Sequence, residues 1–130
     1  MPASSSISSG PSLGAAVTAE RFSFGVGGAE VVGVLHRPRL HEPSPCVVAC
    51  HGMGASKDSD KYLLLARELP PAGLALVRFD FRGSGESGGA YQDATVASRI
   101  ADLEAVLAHL RGHPHLDGRF GLLGSSLGGF

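Results

Sequence analysis

The chain has 130 residues, 43% of them hydrophobic and 18% charged, with nineteen glycines and eight prolines, a composition that fits a single globular domain rich in tight turns. Eleven basic residues against twelve acidic ones, with no run of like charge, leave no electrostatic footprint for nucleic acid or a membrane surface and point to a small-molecule partner. No apolar stretch approaches the roughly 20 residues of a membrane-spanning helix.

Residues 1–20 are rich in Ser, Ala, Gly and Pro and lack the basic and apolar segments of a secretory signal, so a disordered tail is expected there and the domain over 21–130. No arginine precedes Arg21, which speaks against an organelle transit peptide, and a reducing cytoplasm is the expected compartment. Arg21 to Phe24 and Val31 to His36 are β-favouring runs separated by Gly25-Val26-Gly27-Gly28, the pattern of an opening hairpin. Cys46 to Cys50 is a continuous apolar run between Pro45 and His51-Gly52, as in a strand buried on both faces of a parallel sheet. Its two cysteines stand about 13 Å apart on an extended strand and cannot pair with each other. C-x-x-C spacing is absent and no metal is expected.

Tyr62, Leu63, Leu65, Ala66 and Leu69 mark a helix, with capping candidates in Asp58 to Asp60 and a stop at Pro70-Pro71. Leu74 to Phe81 reads as a second buried strand. A long helix follows from about Thr95 to Arg111, with Val96, Ile100, Leu103, Leu107 and Leu110 as its apolar face and a stop at Gly112 and Pro114. Phe120 to Leu123 is the third buried strand. Strands alternating with helices of this length predict an α/β fold, a mostly parallel sheet with helices on both faces.

Gly124-Ser125-Ser126-Leu127-Gly128 directly follows the third strand, and G-x-S-x-G fed by a strand is the form of a nucleophile elbow, which holds its serine in a strained turn. Ser126 is the candidate nucleophile; the plainer alternative is a small-residue turn that starts a helix. His51-Gly52-Met53-Gly54 shifts the balance, because an acyl-transfer enzyme of this architecture needs backbone N–H groups aimed at the developing oxyanion after its first buried strand. Met53 and Leu127 are the candidate donors. Phe79-Asp80-Phe81-Arg82-Gly83-Ser84-Gly85-Glu86-Ser87-Gly88 is expected to form a tight turn shaping the wall of the site. Part of it, Gly83 to Gly88, also matches G-x-G-x-x-G with Asp102 further on, a dinucleotide-binding alternative that predicts a helix starting at Gly85 to Gly88. Against it, Gly88-Gly89-Ala90 prolongs the loop and Asp102 falls on a helical pattern.

Together, His51-Gly52, Asp80 to Ser87 and Gly124 to Gly129 resemble the α/β-hydrolase superfamily, and with a long helix before the elbow they are similar to its serine aminopeptidase S33-like and cinnamoyl or feruloyl esterase-like branch, over roughly Phe22 to the end. The resemblance implies a central elbow strand, attack by Ser126 on an ester or amide carbonyl, an acyl-enzyme and no cofactor. It also implies a triad in the order Ser, Asp or Glu, His, so that both partners follow Ser126. His36, His41, His51, His109, His113 and His115 all precede it, as does every acidic residue. On its own the chain is therefore expected to be inactive, as the amino-terminal part of such an enzyme, a truncated gene product or a decayed copy; a non-catalytic interaction module is the alternative. His51 is expected in a structural hydrogen bond, and His113 and His115 as solvated loop residues. A sheet cut beside its central strand would expose a flat apolar edge.

Overall fold

Gly27 and Gly28, both at positive φ, turn the chain between two long strands, β1 (Val17–Val26) and β2 (Ala29–Pro38), paired antiparallel along their whole length. In this computed structural model, which describes residues 17–38 and 42–124, the hairpin is followed by β3 (Ser44–Cys50), α1 (Asp60–Glu68), β4 (Ala75–Phe79), α2 (Val96–Arg111) and β5 (Leu116–Gly124). Short 3-10 turns at Pro70–Ala72 and Tyr91–Asp93 complete the connections. No helix among the described residues is long and apolar enough to cross a membrane.

The five strands form one sheet in the order β1-β2-β4-β3-β5. β3 lies parallel to both β4 and β5, whereas β2 is antiparallel to both β1 and β4. The expectation of a mostly parallel sheet is thus met only in part. A hairpin closed by a tight turn is antiparallel by construction, and here its second strand docks on β4, so its polarity extends into the sheet. β1 also begins at Val17 rather than Arg21, so the end of the expected 1–20 tail belongs to the sheet; residues 1–16 lie outside the described ones.

Alternation along β3 and β4 sends side chains to two opposite cores. Val48, Val77 and Phe79 join Val31, Leu35, Val106 and Leu110 under α2, while Ala49 and Leu76 pack with Tyr62 and Ala66 of α1. Helices therefore cover both faces, as the pattern of elements implied, and burial of each such Val or Leu contributes about 1.5–3 kcal/mol. Cys46 and Cys50 are free and buried, and burial pushes their thiols up to about 12 and about 11.

α2 starts at a capping box in which Ser98 N–H donates to Thr95 Oγ1 at 3.0 Å and Thr95 N–H to Ser98 Oγ at 2.9 Å, satisfying donors that a helix N-terminus otherwise leaves open. Its buried face differs from the one expected. Val96 and Ile100 are exposed, while Arg99, Asp102, Val106 and Leu110 point inward, with Leu103 and Leu107 at the margin. The helix is rotated because two charged side chains find partners in the loops above the sheet. At α1, Ser59 stands at the N-cap without a capping side-chain bond, its hydroxyl donating instead to Ser56 O at 2.9 Å. β5, read as a buried strand, keeps Leu122 and Leu123 at 58% and 39% exposure; among the described residues it has a strand partner on one edge only.

Candidate active site

The loops after β3 and β4 leave adjacent strands at their carboxyl ends, the place where open α/β sheets build sites. The loop after β4 is organised by Asp80, which is fully buried. Its Oδ1 accepts Lys57 N–H at 2.8 Å and its Oδ2 accepts Glu86 N–H at 2.9 Å. Ser87 Oγ donates to Asp80 O at 2.6 Å and accepts Val32 N–H at 2.9 Å, which ties the loop to β2. Gly85 has φ +51° and lies so close to Asp80 that a Cβ would overlap the carboxylate; at Gly83, φ +86°, a Cβ would meet Ala90 O at 2.7 Å. These two glycines let the segment fold back over the aspartate. It is a run of turns, and the next α-helix begins only at Val96. The helix start that dinucleotide binding requires at Gly85 to Gly88 is absent, and Asp102 is engaged otherwise: it accepts Arg82 N–H at 2.9 Å and Arg82 Nε–H at 2.6 Å.

The loop after β3 is fastened at both ends. At its start, Tyr62 OH donates to Cys50 O at 3.2 Å and the Arg99 guanidinium donates to His51 O, its plane lying over the Phe81 ring at 3.8 Å. His51, 1% exposed, receives Phe81 N–H on Nε2 at 3.1 Å and lies 2.8 Å from Gly52 O through Nδ1. Burial holds its imidazole below the ordinary value, against the opposing pull of Gly52 O and Asp80. At its end, Lys57 is 2% exposed and its Nζ sits 2.6 Å from Glu86, 3.0 Å from Asp58 and 3.2 Å from Asp80. Burial opposes this charge, but the carboxylates hold the ammonium above the ordinary lysine value. Between the fastenings Ala55 N–H closes a turn on Gly52 O at 3.2 Å, and Met53 projects at 46% exposure.

Carboxylate oxygens of Asp58, Asp80 and Glu86 come within 4.8 Å of one another, a spacing that could hold a cation. Lys57 Nζ already occupies that position. His109 and His113 have the i, i+4 spacing of some zinc helices; here His109 packs against Phe22 and Phe24 with ring centroids 5.0 Å away, and His113 Nε2 pairs with Glu20 at 2.9 Å. His113 is therefore a half-buried partner of β1 and not a solvated loop residue.

β5 ends beside β3, with Gly124 in register with Cys50, so the carboxyl end of β5 lies at the sheet end that carries the Met53 loop. Ser126 and Leu127 lie outside the described residues. A family model described as serine aminopeptidase, S33, matches residues 41–130. The chain belongs to this serine aminopeptidase S33 family. Esterase FrsA of Escherichia coli is 38% identical over 61 residues, which is 47% of this chain and 14% of that protein. Among solved structures, a cold-adapted esterase from an Arctic intertidal metagenomic library superposes with a TM-score of 0.74 at 26% identity, covering 87% of this chain and 52% of that one. Est1E from Butyrivibrio proteoclasticus, at 22% identity, shares the fold with a TM-score of 0.77 over 83% of this chain and 43% of its own. This S33-family chain thus spans 14% of the length of the curated relatives it matches and about half of the solved ones. Its two loop motifs were legible from their glycines and their position after strands. Lys57, Arg99 and Asp102, which hold those loops, were not, because nothing local marks a charged residue whose partner lies on another element.

Proposed function

We propose that this chain supplies the nucleophile and the oxyanion hole of a serine hydrolase acting on small carboxylic esters. Ser126 Oγ attacks the ester carbonyl, its proton passes to a general base, and Met53 and Leu127 backbone N–H groups stabilise the oxyanion. Collapse of the tetrahedral species expels the alcohol, and water then releases the acid from the acyl-enzyme. The observation that supports this reading is the parallel register of β5 with β3, which ends β5 at Gly124 beside Cys50, directly before H-G-M-G. Esterase activity, rather than peptide cleavage, is favoured by the esterase relatives.

The general base is proposed to come from outside the described residues. His51 has both ring nitrogens in hydrogen bonds, His36 Nε2 accepts from Arg78 at 3.0 Å and His113 is paired with Glu20. A fluorophosphonate probe tests the assignment. The 130-residue chain should label weakly or not at all, a longer natural polypeptide containing it should label strongly, and Ser126→Ala should abolish that labelling; loss of the base alone slows such a serine by about 10²–10⁴-fold. Labelling that survives Ser126→Ala contradicts the assignment of the nucleophile, and strong labelling of the 130-residue chain that is lost on substituting a described histidine contradicts a base outside the described residues.

A further inference from the structure

We propose that His51 is a positioning residue of the oxyanion hole: its imidazole, locked in one tautomer by the Phe81 amide, donates to Gly52 O and so fixes the peptide plane that carries the Met53 N–H. This rests on the function proposed above, and it goes beyond a packing role for a buried histidine.

The tautomer follows from the geometry. Phe81 N–H can only donate, so the Nε2 it meets at 3.1 Å must present a lone pair. The proton of the neutral ring is then on Nδ1, 2.8 Å from Gly52 O, and Nδ1 is the donor in that contact. Gly52 O belongs to the same peptide unit as Met53 N–H, and a planar peptide turns as one body. Holding the oxygen therefore aims the N–H. Ala55 N–H, at 3.2 Å, is a second donor to Gly52 O, but it belongs to the same loop and moves with it. Among the described residues, His51 is what links that oxygen to a part of the molecule outside its own loop, through the buried Phe81 two residues past the end of β4.

The ring itself has little freedom. It is 1% exposed and meets Phe81 edge-on, with centroids 5.1 Å apart and planes at 76°. The charged groups facing it are Asp80, whose Oδ1 lies 4.0 Å from Nε2, and Arg99 of α2, which donates to the His51 carbonyl. The peptide unit on each side of Gly52 thus has its oxygen held by a side chain, His51 O by Arg99 and Gly52 O by the imidazole. An oxyanion donor needs this kind of fixation, since its benefit comes from being oriented before charge develops.

The inference separates two substitutions that a packing role would treat alike. Asn at 51 places an amide nitrogen where Nδ1 stands, keeping the donor to Gly52 O and losing the acceptor for Phe81 N–H. Gln at 51 reaches the Nε2 position and keeps that acceptor while losing the donor. In the full natural polypeptide, assayed on a p-nitrophenyl ester, H51Q should lower kcat by about 100-fold with KM changed by less than about threefold, the loss typical of one oxyanion donor. H51N should restore most of that kcat. Equal losses in both variants, or the reverse order, overturn the proposal, as does an effect on KM alone. If H51Q does not fold, H51N decides: kcat within about tenfold of the parent supports the proposal and a loss of 100-fold or more overturns it. Nitrogen-15 NMR of the unsubstituted protein gives a test free of activity, expecting a protonated Nδ1 and a bare Nε2; the opposite tautomer overturns the inference. Ser126→Ala is the control. Hydrolysis that survives it removes the function reading itself, whereas hydrolysis lost in Ser126→Ala but equal in H51Q and H51N removes only the role of His51.

Discussion

His36 shows how a single side chain records its surroundings. It lies on β2 with its ring largely covered, and accepts Arg78 Nε–H at 3.0 Å. Burial, with the Arg78 charge adding to it, pushes its imidazole down to about 4 from 6.5. The folded chain thus holds His36 neutral over a range in which the unfolded chain takes up a proton. Its contribution to stability is complete above about pH 6.5, is lost as pH falls toward about 4 and is level below that; the amplitude is at most about 3 kcal/mol. Urea unfolding at pH 7 and pH 4.5 should show a smaller acid loss in His36→Gln, which keeps an acceptor for Arg78, than in the parent. The same residue marks what a sequence can disclose. His36 was legible as part of a strand, but its partner on β4 was not, because nothing in the intervening chain announces that β2 and β4 become neighbours. His51 was more legible, standing between an apolar strand and a glycine, where a buried ring with a structural bond is the ordinary outcome. What its bonds fasten became visible only in the structure.

Among elements, the two loops at the end of the sheet act as one unit because Lys57 and Asp80 join them. Removing one member of a buried ion pair leaves the other uncompensated. Lys57→Met should therefore destabilise the fold by about 3 kcal/mol, and in a cycle with Asp80→Asn the double variant should lose less than the sum of the singles, read by urea unfolding. Additive losses would mean that the ammonium and the carboxylate act independently. The element boundaries show a related pattern. α2 was predicted in extent, since Thr95, Gly112 and Pro114 are local stop and start signals, and its capping box agrees. Its rotation was mispredicted, since counting Val96 and Ile100 as core assumes that charge faces water. Arg99 and Asp102 are buried because the loops offer a carbonyl, an aromatic face and a guanidinium to receive them.

At the scale of the whole molecule, fold class and the covering of both sheet faces were readable from the alternation of strands and helices. The polarity of the sheet was not, since it depends on where the opening hairpin docks. β5 carries the consequence of the strand order most openly. Its residues Leu122 and Leu123 are exposed while their neighbours on β3, Val48 and Ala49, are buried. An exposed apolar edge strand invites pairing with another chain. The 130-residue chain should therefore self-associate with rising concentration in sedimentation velocity, and Leu122→Lys should shift it toward monomer. A chain that stays monomeric at high concentration would show that this edge is not adhesive.

The position of β3 in the sheet also bears on how the chain is made. Both of its neighbours, β4 and β5, come later in the sequence, so the ribosome releases the most apolar strand of the molecule before any strand exists to receive it. At roughly 5–20 residues per second, Val47-Val48-Ala49-Cys50 waits on the order of seconds for β4 and longer for β5. The β1–β2 hairpin, whose partners are adjacent in the chain, closes meanwhile. During that interval β3 is the segment on which a chaperone would act, and the one whose lone apolar run sets the risk of misassembly at birth.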